Sequence, residues 1–252
     1  MKTKQIQRAL YALAIAATVM LGGCVFNVNR ISQEKIGQAA STGLTKALID
    51  MSGYTGNITV SGTSDSIVKA TTTISEMAIE GESNSAIDEL SGSVATSGTT
   101  GTVAFSYPPG SDKWELLRIE GMTVACYENL AVSARTTSGN INLSGIRGVL
   151  TLETTSGNIT ADVVSGCDIS VTSGNVDVSL QPDSSFTNAT LKTTSGTIRV
   201  LVPTGLTANL ELKTTSGNIH TPGNDHSRLN GGNDSVIIRC TATSGNIKIE
   251  EN

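Results

Sequence analysis

The chain has 252 residues, of which 15% are charged and 3% aromatic, with 17 basic against 22 acidic side chains and a formal net charge of −5. An acidic chain without a basic cluster is a poor partner for nucleic acid or for an anionic surface. So few rings also leave little material for the stacking platforms of a sugar-processing groove.

Lys2, Lys4 and Arg8 precede an apolar run, Ala9–Met20. That is the pattern of a secretory signal, and the run is too short to span a bilayer. Leu21-Gly22-Gly23-Cys24 resembles the lipobox of bacterial lipoproteins. The resemblance implies a signal peptide over 1–23, cleavage before Cys24 and lipid attachment to Cys24. Palmitate and companion chains would anchor it at ~0.8 kcal/mol per buried CH₂. Val25, where an Asp would resemble an inner-membrane retention signal, favours the outer membrane in a two-membrane bacterium. Cleavage removes three cations and no acids, leaving 14 basic and 22 acidic residues and a net charge of −8.

Residues 24–50 lack any repeat. Ser32–Ala40 could form a short helix, but its glycine and small residues suit a lipidated tether. The repeat domain is read as 51–252. It opens on weak copies, Thr55-Gly56-Asn57-Ile58-Thr59-Val60 and Thr100-Gly101-Thr102-Val103-Ala104-Phe105, as capping units of an array should be. Tyr107–Gly121 interrupts it with Pro108-Pro109-Gly110 and the lone Trp114. Trp114 could be a binding aromatic; the reading preferred is a loop laid over an open edge, with Trp114 and Leu116–Leu117 covering core.

From Thr136 onward one motif dominates. Thr-Thr-Ser-Gly-Asn-Ile stands at Thr136–Ile141, Thr154–Ile159 and Thr214–Ile219, with variants at Thr172–Val176, Thr193–Ile198 and Thr243–Ile247. The serines, Ser138, Ser156, Ser173, Ser195, Ser216 and Ser244, are 18, 17, 22, 21 and 28 residues apart. A period near 20 signals stacked units. Six and four residues before each serine, and three and five after it, the positions are mostly aliphatic: Leu150, Leu152, Ile159 and Ala161 around Ser156 are one example. Spacing by two is strand periodicity with one buried face. Each unit thus reads as strand, Ser-Gly-Asn corner, strand, and stacking the units gives an all-β solenoid resembling a parallel β-helix. Asn140, Asn158 and Asn175 would then lie over one another as a side-chain ladder. A hairpin sandwich is the competitor; the similar inward residues on both arms and the scarcity of aromatic pairs count against it.

His220–Ser235 fills the longest interval and holds both histidines. A metal reading would use His220, Asp225 and His226, but their spacing fits no standard site, and Asp, Asn and Gly serve turns. No metal and no cofactor is expected. Cys126, Cys167 and Cys240 share the parity of inward positions and read as buried thiols; Cys167 and Cys240, three units apart in different columns, are too far apart to bridge, whereas a Cys126–Cys167 disulfide stays open.

No catalytic constellation emerges. Both histidines lie in one loop, the serines are corner residues, and no phosphate-cradling glycine motif opens a helix. The lipobox, Gly56-Asn57-Ile58-Thr59-Val60 and the serial Thr-Ser-Gly-Asn-Ile corners resemble the putative-adhesin family of β-strand-repeat envelope lipoproteins, from about Gly53 onward. The resemblance implies the architecture and an envelope address and carries no catalytic residues. The expectation is a non-enzymatic, lipid-anchored module that binds an envelope protein or polysaccharide, or has a structural role there. A polysaccharide-active β-helix enzyme is the first rival. Self-assembly through an exposed last strand, Asn246–Ile249, is the second.

Overall fold

The computed structural model describes residues 16–21, 24–52, 54–79, 91–106, 117–186, 188–223, 225–232 and 235–252. Among these the structure is all strand, with no helix. The N-terminal half comprises β1 (Ala16–Leu21), β2 (Cys24–Ala40), β3 (Lys46–Met51), β4 (Asn57–Thr63), β5 (Ile67–Ile79), β6 (Ser91–Ser97), β7 (Thr100–Ser106) and β8 (Leu117–Tyr127). Paired strands follow, one before and one after each corner: β9 (Ala131–Ser138) and β10 (Ile141–Ser144), β11 (Leu150–Ser156) and β12 (Ile159–Val163), β13 (Cys167–Ser173) and β14 (Val176–Leu180), β15 (Asn188–Ser195) and β16 (Ile198–Val202). The chain ends with β17 (Ala208–Ser216), β18 (Ile219–His220), β19 (Arg228–Leu229), β20 (Ile237–Ser244) and β21 (Ile247–Glu251).

Two sheets result. One runs β1-β2-β5-β8-β4-β10-β12-β14-β16-β21-β18, the other β19-β17-β20-β15-β13-β11-β9-β3-β7-β6. In the stack that runs from β3 and β4 through β9–β18 with β20 and β21, each unit gives one strand to each sheet, in parallel register, so that Leu152 pairs with Ala134 on one side and Ile169 on the other. The inward columns meet between the sheets as one aliphatic spine. Leu150, Leu152, Ile159, Ala161, Ile169, Val176, Leu191 and Ile198 are all at most 1% exposed. Stacked, corner-linked parallel strands are the solenoid-like arrangement the period implies.

The stacking order departs from sequence order. β20 lies between β15 and β17, and β21 between β16 and β18. The last unit is therefore intercalated, and the penultimate one ends the stack. Composition gives the reason. The intercalated unit turns Ile238, Cys240, Ala242, Ile247 and Ile249 inward, each at most 1% exposed. Its neighbour turns in Leu210, Leu212, Thr214, Ile219 and Thr221, of which Leu212, Thr214 and Ile219 are only half-buried. The more apolar unit takes the place covered on both sides, since burial is worth ~25 cal/mol per Å² of apolar surface. The 28-residue interval between Ser216 and Ser244 gives the chain length to pass its own end. Asn246–Ile249 is thus not an exposed edge. The edge strands β18 and β19 are two residues each, and Leu229, 3% exposed, plugs the core beside them. Very short edges blunt strand addition.

The N-terminal part corrects the sequence reading in three places. Residues 24–50, read as a tether, contain β2 and β3; β2 pairs antiparallel with β5 from Val28↔Ile79 to Ala40↔Ile67. Ser32–Ala40 is strand, not helix: alternation along the sheet settles what small residues left ambiguous, and the repeat body accordingly begins before residue 51. Thr100-Gly101 is no corner, because β6 and β7 form an antiparallel hairpin turning at Gly98, where φ is 56°. The remaining weak copy is a true unit: β4 pairs with β10 with Ile58 opposite Ile141. Trp114 and Leu116 fall outside the described residues.

Candidate functional site

The corner is the most regular surface feature. Asn140 donates its backbone N–H to Asn57 Oδ1, Asn158 to Asn140 Oδ1 and Asn175 to Asn158 Oδ1, each at 2.8 Å. Thr197 N–H completes the run on Asn175 Oδ1 at 2.8 Å. In return the next residue of the lower unit donates back: Ile141 N–H to Asn158 O and Ile159 N–H to Asn175 O, both 2.9 Å. Thr197 has no amide to continue the chain of bonds, and a last rung forms where Asn218 N–H meets Asn246 Oδ1 at 2.9 Å. The expected Asn ladder exists, as side chain to backbone, and it extends to Asn57.

Beneath it lies a second, buried ladder of threonines. Thr136, Thr154 and Thr193 are 1–4% exposed. Thr154 Oγ1 donates to Gly139 O and Thr193 Oγ1 to Gly174 O, both at 3.1 Å. The signal was available: two residues before serine has the same parity as the aliphatic positions four and six before it.

The threonine directly before each serine faces out. Thr137, Thr155, Thr172, Thr194, Thr243 and Thr215 are all exposed and occupy successive rungs. Rungs are ~4.7–4.9 Å apart, so the second sheet carries an unbroken hydroxyl row along its corner edge. Some outward charges are paired: Arg239 grips Glu211 through Nε at 2.6 Å and a terminal nitrogen at 2.9 Å, and Arg135 lies 3.6 Å from Glu153. The Arg239 contact holds the Glu211 carboxyl below its ordinary value. Exposed pairs of this kind contribute ~0–1 kcal/mol.

The three residues of the metal reading do not converge. Asp225 accepts from Ser227 Oγ at 2.6 Å and from Ser227 N–H at 2.8 Å, which lowers its pKa and closes a local turn. His226 Nδ1 is 2.8 Å from Thr221 Oγ1, and His220 lies on β18 beside Lys248. No group of three metal-ligating side chains occurs among the described residues. Cys126, Cys167 and Cys240 are free and buried. Burial pushes Cys126 up to about 11 and Cys167 to about 12, and raises Cys240 further. Cys167 and Cys240 stand two strands apart rather than three units, because β20 follows β15 in space. Cys24 opens β2, directly opposite Leu21 of β1.

A depression of ≈ 370 Å³ lies at the far end of the first sheet, lined by Asn218, His220, Asn246, Ile247, Lys248 and Glu250. A second, of ≈ 250 Å³, is formed by the loop after β18 against Glu251.

A crystal structure of a putative cell adhesion protein from Clostridium sporogenes is 14% identical, with a TM-score of 0.54, covering 88% of this chain and 100% of that one. The likeness is one of fold. A putative adhesin from Bacteroides fragilis is 11% identical over 86% of this chain and 97% of its own, with a TM-score of 0.29. No curated protein matches the chain. The family described as Toastrack DUF4097 matches residues 31–250, from β2 through most of β21, which bears out the resemblance drawn from the corner motif; the chain belongs to that family.

Proposed function

We propose that this protein is a lipid-anchored, extracytoplasmic binding or structural module of the bacterial envelope, attached through Cys24 and working without catalysis. The observation that carries the reading is the exposed threonine row on six successive rungs. A rigid row of identical hydroxyls makes many weak contacts to an extended polymer, and weak contacts held in one body add their affinities. The corners are held by the Asn and inward Thr ladders, so this row is preorganised and binding orders little. The adhesion label of the Clostridium sporogenes relative agrees with such a role. The lipobox-like sequence Leu21-Gly22-Gly23-Cys24 supports the anchor, and Val25 favours the outer membrane where two are present.

Cosedimentation with purified envelope polysaccharide tests the surface. The triple variant Thr155→Lys/Thr172→Lys/Thr194→Lys is expected to lose most of the bound fraction, and equal binding by both proteins would refute the row as the contact. Labelling with an alkyne analogue of palmitate tests the anchor: Cys24→Ser should abolish the label and release the protein from membranes. Label retained on the variant would refute attachment at that residue.

A further inference from the structure

On the outer face of the first sheet, the last four rungs carry Asp177, Arg199, Lys248 and His220 in one column. Three nitrogen-bearing side chains therefore stand on consecutive strands, ~4.8 Å apart. Arg199 is neutralised, with Nε 2.6 Å from Glu250 Oε2 and a terminal nitrogen 3.4 Å from Asp177 Oδ1. Lys248 is not: among the described residues no carboxylate lies within ion-pair distance of it. Glu250, two residues on, is committed to Arg199. Beside Lys248 and His220 stand the corner amides of Asn246 and Asn218. Asn246 Oδ1 accepts the Asn218 N–H at 2.9 Å, which orients the amide and leaves its NH₂ group as a donor. Lys248, His220, Asn246, Asn218 and Glu250 line the ≈ 370 Å³ depression.

The set is specific in what it offers. An unneutralised ammonium seeks a carboxylate, while primary amides and an imidazole donate to and accept from hydroxyls. The depression has no free guanidinium fork of the sort favoured for phosphate. We infer that it binds an acidic saccharide, a sugar carrying a carboxylate, with Lys248 on the carboxylate and Asn218, Asn246 and His220 on the ring hydroxyls. The site lies nine strand intervals from β2, on the order of 40 Å along the stack at the usual strand spacing. Given the proposed anchor at Cys24, that is the distal tip of the rod; the binding chemistry itself is independent of the anchor.

Titration calorimetry on the full chain in a non-ionic detergent, with glucuronate, glucose and inorganic phosphate as probes, tests this. Glucuronate is expected to bind at least tenfold more tightly than glucose, and Lys248→Gln to weaken glucuronate by about tenfold, the scale of one charge-assisted bond. Lys69→Gln, on β5 toward the other end of the sheet, should bind as the parent does. Glucuronate binding no tighter than glucose, or undiminished by Lys248→Gln, overturns the proposal. Phosphate binding as tight as glucuronate overturns the saccharide assignment in favour of a bare anion site. None of these outcomes depends on palmitate labelling, so failure of the anchor and failure of the tip site are separable.

Discussion

Asn158 is held from both sides of the stack: its backbone N–H meets Asn140 Oδ1 and its own Oδ1 receives the Asn175 N–H, each at 2.8 Å. One residue, through its backbone N–H and its side chain, thereby ties three successive units. Asn158→Ala removes the acceptor for Asn175, and because that bond is exposed, water replaces part of it. The expected loss is ~0.5–1.5 kcal/mol, read as a lower urea midpoint with unchanged slope. Asn158→Asp keeps an oxygen in place and should lose less.

Gly157 is a harder constraint. Its φ is 146°, and a Cβ there would lie 2.1 Å from the Gly139 carbonyl oxygen of the neighbouring unit. The backbones cannot separate without breaking Gly139 N–H to Ser156 O at 2.9 Å. Gly157→Ala should therefore cost at least ~4 kcal/mol, in the range reserved for backbone clash and strain. Gly205, with φ 83° and open space around it, is the control. Gly205→Ala should cost only ~1–2 kcal/mol for the left-handed conformation. Thermal unfolding of the two variants separates them.

The buried thiols make stability fall at alkaline pH. Burial raises Cys126 to about 11 and Cys167 to about 12 from an ordinary 9.0. In the unfolded chain these thiols ionise first, so above pH 9 the unfolded state holds fewer protons and gains relative to the native one. Stability is intact below pH 9 and declines as pH rises through about 11. Urea midpoints from pH 8 to 11 should drop in the parent and drop less in Cys126→Ala/Cys167→Ala, once each is referred to its own value at pH 8. Parallel curves would contradict this account.

The exchanged order of the last two units makes equivalent isoleucines unequal. Ile247 is fully buried between β16 and β18, whereas Ile219 ends its column half-buried. Ile247→Ala should cost ~2–5 kcal/mol, as for other buried large-to-small changes, and Ile219→Ala less than half as much. Equal losses in chemical denaturation would contradict the order.

The sequence carried what repeats and little of what happens once. Parity around Ser138, Ser156, Ser173 and Ser195 located the spine, because every unit faces the same neighbours above and below. The Asn column was legible for the same reason. The burial of Thr136, Thr154 and Thr193 went unread because threonine satisfies its own hydroxyl on a glycine carbonyl, a bond no hydropathy pattern displays. The strand at Ser32–Ala40 was missed since small and polar residues there pair with β5 across a long antiparallel register rather than filling a column. The intercalation of β20 and β21 was hidden in a comparison between units: Ile238, Ala242 and Ile249 against Leu210, Thr214 and Thr221. The tip depression joins His220 to Lys248, 28 residues apart, and depends on that same exchange.

Disulfide trapping across the end of the second sheet tests the stacking order most directly. Thr241 lies between Lys192 and Lys213, opposite each in register, and all three face outward. Lys192→Cys/Thr241→Cys should cross-link on mild oxidation. Lys192→Cys/Lys213→Cys should not, since two strand intervals, ~9.5 Å, exceed the reach of a disulfide. Cross-linking of the 192/213 pair without the 192/241 pair would show the units stacked in sequence order and contradict the intercalated fold.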